Sequence, residues 1–251
     1  MNNIEVKTEG KLAWIKLKYE KSLNAFSSNL LREFKEKLLE MESSDNVQVV
    51  IISGTGKSFI AGADIKEMQD MSPKEAFDYA SATCELYTII ENSSKCYIAM
   101  LNGYTFGAGT EFALACDLRI ASSKASFMLP EVSLGIIPGG GGTQKLMRII
   151  GEGRAKEMIF LGDRIDADTA YRYGLLTEVA PPEELEERTE ALAGKVLRNS
   201  PVGIAMAKKA INKGRNMGLE EGLIFERQAF ALCFSEDDQK KLMKAFANKS
   251  K

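Results

Sequence analysis

The sequence predicts an α/β fold followed by a helical region, and three observations carry that expectation. Short, nearly continuous apolar runs at residues 47–52 (VQVVII) and 96–101 (CYIAML) have the pattern of strands buried on both faces. Amphipathic helical stretches alternate with such runs, as in a sheet covered by helices. After Pro181-Pro182 the strand signals stop and only helical periodicity continues. The expected organisation is a β/α core over residues 1–182 and a helical C-terminal region over residues 183–251.

Each element has its own signal. Val6 and residues 12–17 lie in β-rich runs split by Glu9-Gly10, a hairpin pattern. Ser27 or Ser28 caps a helix with Leu30, Leu31, Phe34, Leu38 and Leu39 on one face. The run at 47–52 ends at Ser53-Gly54, and a second helix is predicted over 73–91. The run at 96–101 closes at Asn102-Gly103. Residues 109–116 are helix-like, 118–121 a strand, and 125–137 strand-like and turn-rich. Helices follow over 143–150 and 155–161, then a short helix at 170–173 and a short strand at 176–179. Three helical stretches close the chain, at 183–198, 202–213 and 219–247, punctuated by Ser200-Pro201 and Asn216-Met217-Gly218. The last carries Leu223, Phe225, Phe230, Phe234, Leu242 and Phe246, either a core face or a face that packs on another subunit.

Composition narrows the chemistry. The 251 residues include 33 Lys+Arg and 35 Asp+Glu, a formal net charge of -2, so no long-range field favours nucleic acid or an anionic membrane. No apolar run approaches the ~18 residues of a spanning helix. Residues 1–9 are polar and of mixed charge, without a secretory pattern, and a cytoplasmic protein is expected. The sequence contains no histidine, which excludes Ser-His-Asp and Cys-His catalysis and His-ligated zinc. Proton transfer falls to carboxylates, Lys, Tyr, Cys or backbone groups. Cys84, Cys96, Cys116 and Cys233 form no C-x-x-C pair, so no metal site is expected and reduced thiols are the default.

The glycine-rich segments fail as phosphate loops. Gly56-Lys57-Ser58 lacks the earlier glycine of a P-loop, because Ile51 stands there. Gly107-Ala108-Gly109 meets Phe112 where a dinucleotide fingerprint needs glycine, and the run 139–142 fails likewise. Yet three such segments each follow an apolar run: 59–64 (FIAGAD), 102–111 (NGYTFGAGTE) and 130–142 (PEVSLGIIPGGGG). Small residues let backbone approach a ligand, and two converging N–H groups at strand-to-helix turns make an oxyanion hole. Tight turns alone are the competing explanation. Glu111 and Glu131 are isolated carboxylates in apolar surroundings, where burial raises the pKa into the range of general acid–base work. A helix cap or a surface charge is the alternative for each. Asp64 and Asp117 are better read as partners of local backbone.

Residues 58–68 (SFIAGADIKEM), 102–121 (NGYTFGAGTEFALACDLRIA) and 127–142 followed by Thr143-Gln144 resemble, in order, three motifs of the crotonase, or enoyl-CoA hydratase/isomerase, superfamily. Leu23-Asn24-Ala25, residues 160–174 and the helical tail follow the same pattern, so the resemblance spans nearly the whole chain. It implies a crotonase-like spiral of ββα turns with a helical C-terminal trimerisation region, and a homo-oligomer that is a trimer or a dimer of trimers. It implies acyl-CoA thioester ligands, with coenzyme A belonging to the substrate and no separate cofactor. The backbone N–H groups of Ala63 and Ala108 match the oxyanion donors, Ala108 replacing the commoner glycine. Residues 61–66, including Ala61, Asp64, Ile65 and Lys66, match the stretch along pantetheine and adenine. Glu111 and Glu131 match the two catalytic glutamates of the hydratases, and Gly139 a backbone position beside the catalytic water. Two departures stand out. Leu129 occupies a position where many hydratases carry Gln, and residues 19–21 lack the usual Arg-Pro. The expected activity is hydration of a 2-enoyl-CoA, with Glu111 as base and Glu131 as acid, or with the two sharing the water and trading roles. A double-bond isomerase, a decarboxylase, a ring hydratase and a non-catalytic CoA-binding homologue remain open alternatives.

Overall fold

A computed structural model describes residues 3–235 and 237–249. The chain opens with the antiparallel hairpin β1 (Ile4–Glu9) and β2 (Leu12–Leu17), with Gly10 at φ 60° in its turn. Helix α1 (Ser28–Glu42) starts where Ser27 accepts a hydrogen bond from the Leu30 N–H. Leu30, Leu31, Phe34 and Leu38 are buried as expected, joined by Met41. Leu39 is not: it stands nine residues from Leu30, about two and a half turns, and so on the opposite side of the helix.

Strand β3 (Val49–Gly54) leads into the short β4 (Ser58–Ala61), the single turn α2 (Ile65–Met68) and the long α3 (Pro73–Asn92). Ser72 and Glu75 form a capping box at the start of α3. Next come β5 (Cys96–Leu101), β6 (Tyr104–Phe106), α4 (Ala108–Ala115), β7 (Leu118–Ser122) and β8 (Ser126–Met128). A 3-10 turn (Glu131–Leu134) precedes α5 (Gly142–Ile150), α6 (Glu152–Leu161), β9 (Ile165–Asp166), α7 (Ala167–Arg172) and β10 (Glu178–Ala180). The strand expected at 176–179 thus lies later, because Leu175 and Leu176 are spent filling the core at the turn after α7.

The strands form two sheets. One has the order β1-β2-β3-β5-β7-β10, parallel from β2 onward; the other has the order β4-β6-β8-β9. Successive turns β3/β4, β5/β6 and β7/β8 each give one strand to each sheet, which makes the path a spiral. Side-chain alternation explains the continuous apolar runs. Val50 and Ile52 face a core closed by α1, α3 and α4, where the rings of Phe34 and Phe112 lie 5.2 Å apart. Val49 and Ile51 face a second core with Trp14, Ile98 and Ile120, closed by Leu185 and Ala193 of α8 (Leu185–Leu197).

Helices α9 (Pro201–Gly214), α10 (Leu219–Leu232) and α11 (Asp237–Lys249) complete the chain. The single stretch expected over 219–247 is therefore two helices, broken by a 3-10 turn (Cys233–Ser235). Ser235 Oγ donates to the Leu232 carbonyl there, and Asp237 and Asp238 open α11 with the acidic first turn that suits a helix N-terminus. Buried Lys208 ties α9 to the core through the carbonyls of Ile90 and Lys95 and through Asp117. Asp117 also accepts from the Tyr97 N–H, so its partners are distant in sequence rather than local. Among the described residues no helix is long and apolar enough to cross a membrane. All four cysteines are free; Cys96 and Cys116 are buried, Cys84 and Cys233 half-buried.

Candidate active site

Two backbone turns meet at the ends of β4 and β6. These strands pair in parallel with Ala61 opposite Phe106, and each chain then runs through one glycine, Gly62 or Gly107, to Ala63 or Ala108. Gly62 at φ 97° and Gly107 at φ 49° turn the chain there, in a region that glycine alone occupies without strain. Phe26 forms a parallel bridge with Ala63: its N–H donates to Gly62 and its carbonyl accepts from Asp64. That pattern uses the groups flanking Ala63 and turns the Ala63 N–H away from Phe26. Ala108 is the first residue of α4, so its N–H is one of those a helix cannot satisfy internally. Gly109 lets α4 seat against β4; a Cβ there would lie 2.0 Å from the Ile60 carbonyl oxygen.

Both alanines line a mostly apolar cavity of about 620 Å³. Ala61, Ile65, Glu111, Glu131 and Gly139 line it too. Asp64 and Lys66 do not. Asp64 caps α2, accepting from the N–H groups of Lys66 and Glu67, and Lys66 is exposed. Leu129 is buried in the core and forms no part of the wall.

The two carboxylates are held differently. Glu111, in the first turn of α4, is 3% exposed. Its Oε1 accepts from the N–H groups of Gly140 and Gly142, each at 2.8 Å. Burial pushes its carboxyl above the usual range, against the pull of those two N–H groups and of Lys145. Glu131 opens the 3-10 turn, and its Oε2 is buried without a hydrogen-bond partner among the described residues. Burial, reinforced by the charge of Glu111, pushes its carboxyl up to about 7. One cavity therefore presents a carboxyl held by two main-chain N–H groups beside a second carboxyl that lacks such a grip and is pushed up to about 7. Such a pair can take a proton and give one at neighbouring points.

Several supporting groups were not legible in the sequence. Gly140 and Gly142 act as donors, and their signal was the glycine run 139–142 just before a helix. A Cβ on Gly140 would stand 2.7 Å from Glu111 Oε2, so that position also makes room for the carboxylate. The Tyr87 hydroxyl donates to the Ala108 carbonyl at 2.9 Å and steadies the start of α4. Thr110 Oγ1 donates to the carbonyls of Thr105 and Met128, tying α4 to β6 and β8.

A profile of the family described as Enoyl-CoA hydratase/isomerase matches residues 7–251. The chain belongs to that family. Among curated relatives in the enoyl-CoA hydratase/isomerase family, the short-chain-enoyl-CoA hydratase of Clostridium acetobutylicum is 43% identical over 252 residues, covering 100% of this chain and 97% of that protein. The crotonyl-CoA hydratase of Syntrophomonas wolfei is 40% identical over 250 residues, covering 99% and 96%. A crystal structure of enoyl-CoA hydratase from Bacillus anthracis matches with a TM-score of 0.94 at 40% identity, covering 98% of this chain and 96% of that one. The fold is thus that of solved enoyl-CoA hydratases, helical C-terminal region included.

Proposed function

We propose that the protein hydrates a 2-enoyl-CoA thioester to the 3-hydroxyacyl-CoA by reversible syn addition of water. The observation that carries this reading is the meeting, in one cavity, of two unlike carboxyls, Glu111 and Glu131, with the main-chain turns at Ala63 and Ala108. The thioester oxygen sits between the N–H groups of Ala63 and Ala108. Ionised Glu111 takes a proton from water as the water oxygen bonds to C3. The double-bond electrons move onto the thioester oxygen as an enolate, the charge that the two N–H groups stabilise. Protonated Glu131 then gives its proton to C2 and the enolate collapses. Proton exchange with solvent resets the pair. No resident cofactor enters this scheme, since coenzyme A is part of the substrate. Residues 61–66 run beside the pantetheine arm, Ala61 and Ile65 by touching it, Asp64 by fixing the start of α2, and Lys66 by offering an exposed cation to phosphate. The four free thiols suit a reducing, cytoplasmic setting.

Glu111→Gln and Glu131→Gln keep shape but remove the acid–base function. Each is expected to lower kcat by about 10²–10⁴ with little change in KM, measured on crotonyl-CoA with the product identified. The double variant is expected to lose far less than the product of the single losses, because the two groups act as a unit. Intact turnover in Glu111→Gln with none in Glu131→Gln would replace the hydratase by a one-carboxylate isomerase.

A further inference from the structure

Behind the glycine loop that grips Glu111 lies a chain of charges that the hydration scheme leaves unused. Lys145 of α5 reaches back so that its Cε lies 3.0 Å from where a Cβ on Gly141 would stand, between the two donor glycines. Its Nζ lies 5.1 Å from the centroid of the Tyr87 ring, whose Cε2 would stand 2.7 Å from a Cβ on Gly140. Glu91, at the end of α3, holds Lys145 at 3.1 Å and Arg215, just beyond α9, at the same distance through the same oxygen. The side chains of Lys145 and Glu91 are only 17% and 18% exposed, so water screens this contact less than a surface pair.

We propose that Lys145 is a positioning residue for Glu111, and that Glu91, shared with Arg215 of the C-terminal region, sets how much of the lysine charge reaches that carboxylate. The proposal rests on Glu111 being the base. The other titratable groups around Glu111 cannot play this part. Tyr79, Tyr87 and Cys84, all on α3, are pushed upward by burial and stay neutral through the working range. Glu131 is neutral while it holds its proton and, once ionised, has a charge of the wrong sign. The charge of Lys145 favours the ionised form of Glu111, against the upward push of burial. Arg215 competes for Glu91 and so leaves more of the lysine charge uncompensated. Docking of the C-terminal helices is thereby connected to the proton affinity of the base.

The test is the pH profile of kcat/KM for crotonyl-CoA in the full-length protein, with a ¹³C titration of the Glu111 carboxyl in parallel. Lys145→Met moves the acid limb to higher pH, because a carboxylate that loses a nearby cation holds its proton longer. On that limb the rate falls by about three- to tenfold relative to the parent. The alkaline limb, set by Glu131, stays in place, and Lys145→Arg restores the acid limb. Glu91→Gln moves the acid limb the opposite way, since it removes the anion that offsets Lys145. If Lys145→Met does not fold, Glu91→Gln decides the matter by the same limb. A lower plateau with both limbs unmoved would make Lys145 a prop for the glycine loop and overturn the proposal. Absence of hydration by the parent protein would instead sink the hydratase reading, and the carboxyl titration would still report the Lys145–Glu111 coupling.

Discussion

At the scale of single residues, Glu131 shows how burial sets chemistry. Its carboxyl, pushed up to about 7, is protonated in the folded chain at pH values where an unfolded chain, near 4.3, has lost the proton. The native state then binds more protons than the unfolded one, so stability falls as pH rises between those two values. Glu131→Gln removes the penalty. The variant is expected to be more stable than the parent at pH 8 by about 1–3 kcal/mol, allowing for the partly exposed carboxyl, and equal to it at pH 4. Thermal unfolding at the two pH values measures this; an unchanged or lower melting point at pH 8 would count against it. In the hydration scheme proposed above the same proton goes to C2, so kcat/KM is expected to fall about tenfold per pH unit above roughly 7. The proposed scheme thus ties the stability given up at this residue to its role as acid.

At the scale of elements, the glycine loop before α5 is the most exacting piece. Gly140 has no room for a side chain: a Cβ would meet Glu111 Oε2 and Tyr87 Cε2, both at 2.7 Å. Gly140→Ala is expected to displace the Glu111 carboxylate and lower kcat by about 10²-fold or more while the fold persists, checked by kinetics beside circular dichroism. Gly153→Ala is the control, because nothing lies within 4 Å of a Cβ there. Legibility also divides at this scale. Helix α1 could be read from Ser27 and its apolar spacing, and β3 and β5 from runs that fill two cores. The strands β4 and β6 could not, being four and three residues long. Too few residues alternate there to reveal a period, and tertiary pairing makes them strands. The donors at Gly140 and Gly142 escaped for a similar reason: no side chain marks a main-chain N–H, and only the fold shows where it points.

For the whole molecule, the exposed apolar surface of the C-terminal helices is the open account. Leu219 is 81% exposed and Phe230 64%, on a helix whose buried side chains amount to Ala229. Expected as either a core face or a subunit contact, the stretch leaves Leu223, Phe230, Phe234 and Leu242 exposed in the single chain. A trimer or a dimer of trimers is the assembly expected to cover it. Light scattering at micromolar concentration is expected to give at least three times the chain mass, and a stable monomer would refute the assembly. Glu111, Glu131 and the glycine-rich segments around Ala63 and Ala108 stand out in the sequence, and the fold brings them to one cavity. Lys145 and Glu91 do not stand out, since they meet only because α5 packs beside the end of α3.

The N–H groups at Ala63 and Ala108 have a hereditary consequence. A side-chain donor can be erased by one codon change, whereas a main-chain N–H survives every replacement except proline. Genetic drift at either alanine therefore leaves in place the cradle that we propose for a polarised carbonyl. Each glutamate, in contrast, is one base away from losing its carboxylate. A lineage built on such a frame can exchange one reaction for another by rewriting two side chains, without having to reinvent the place where the carbonyl is held.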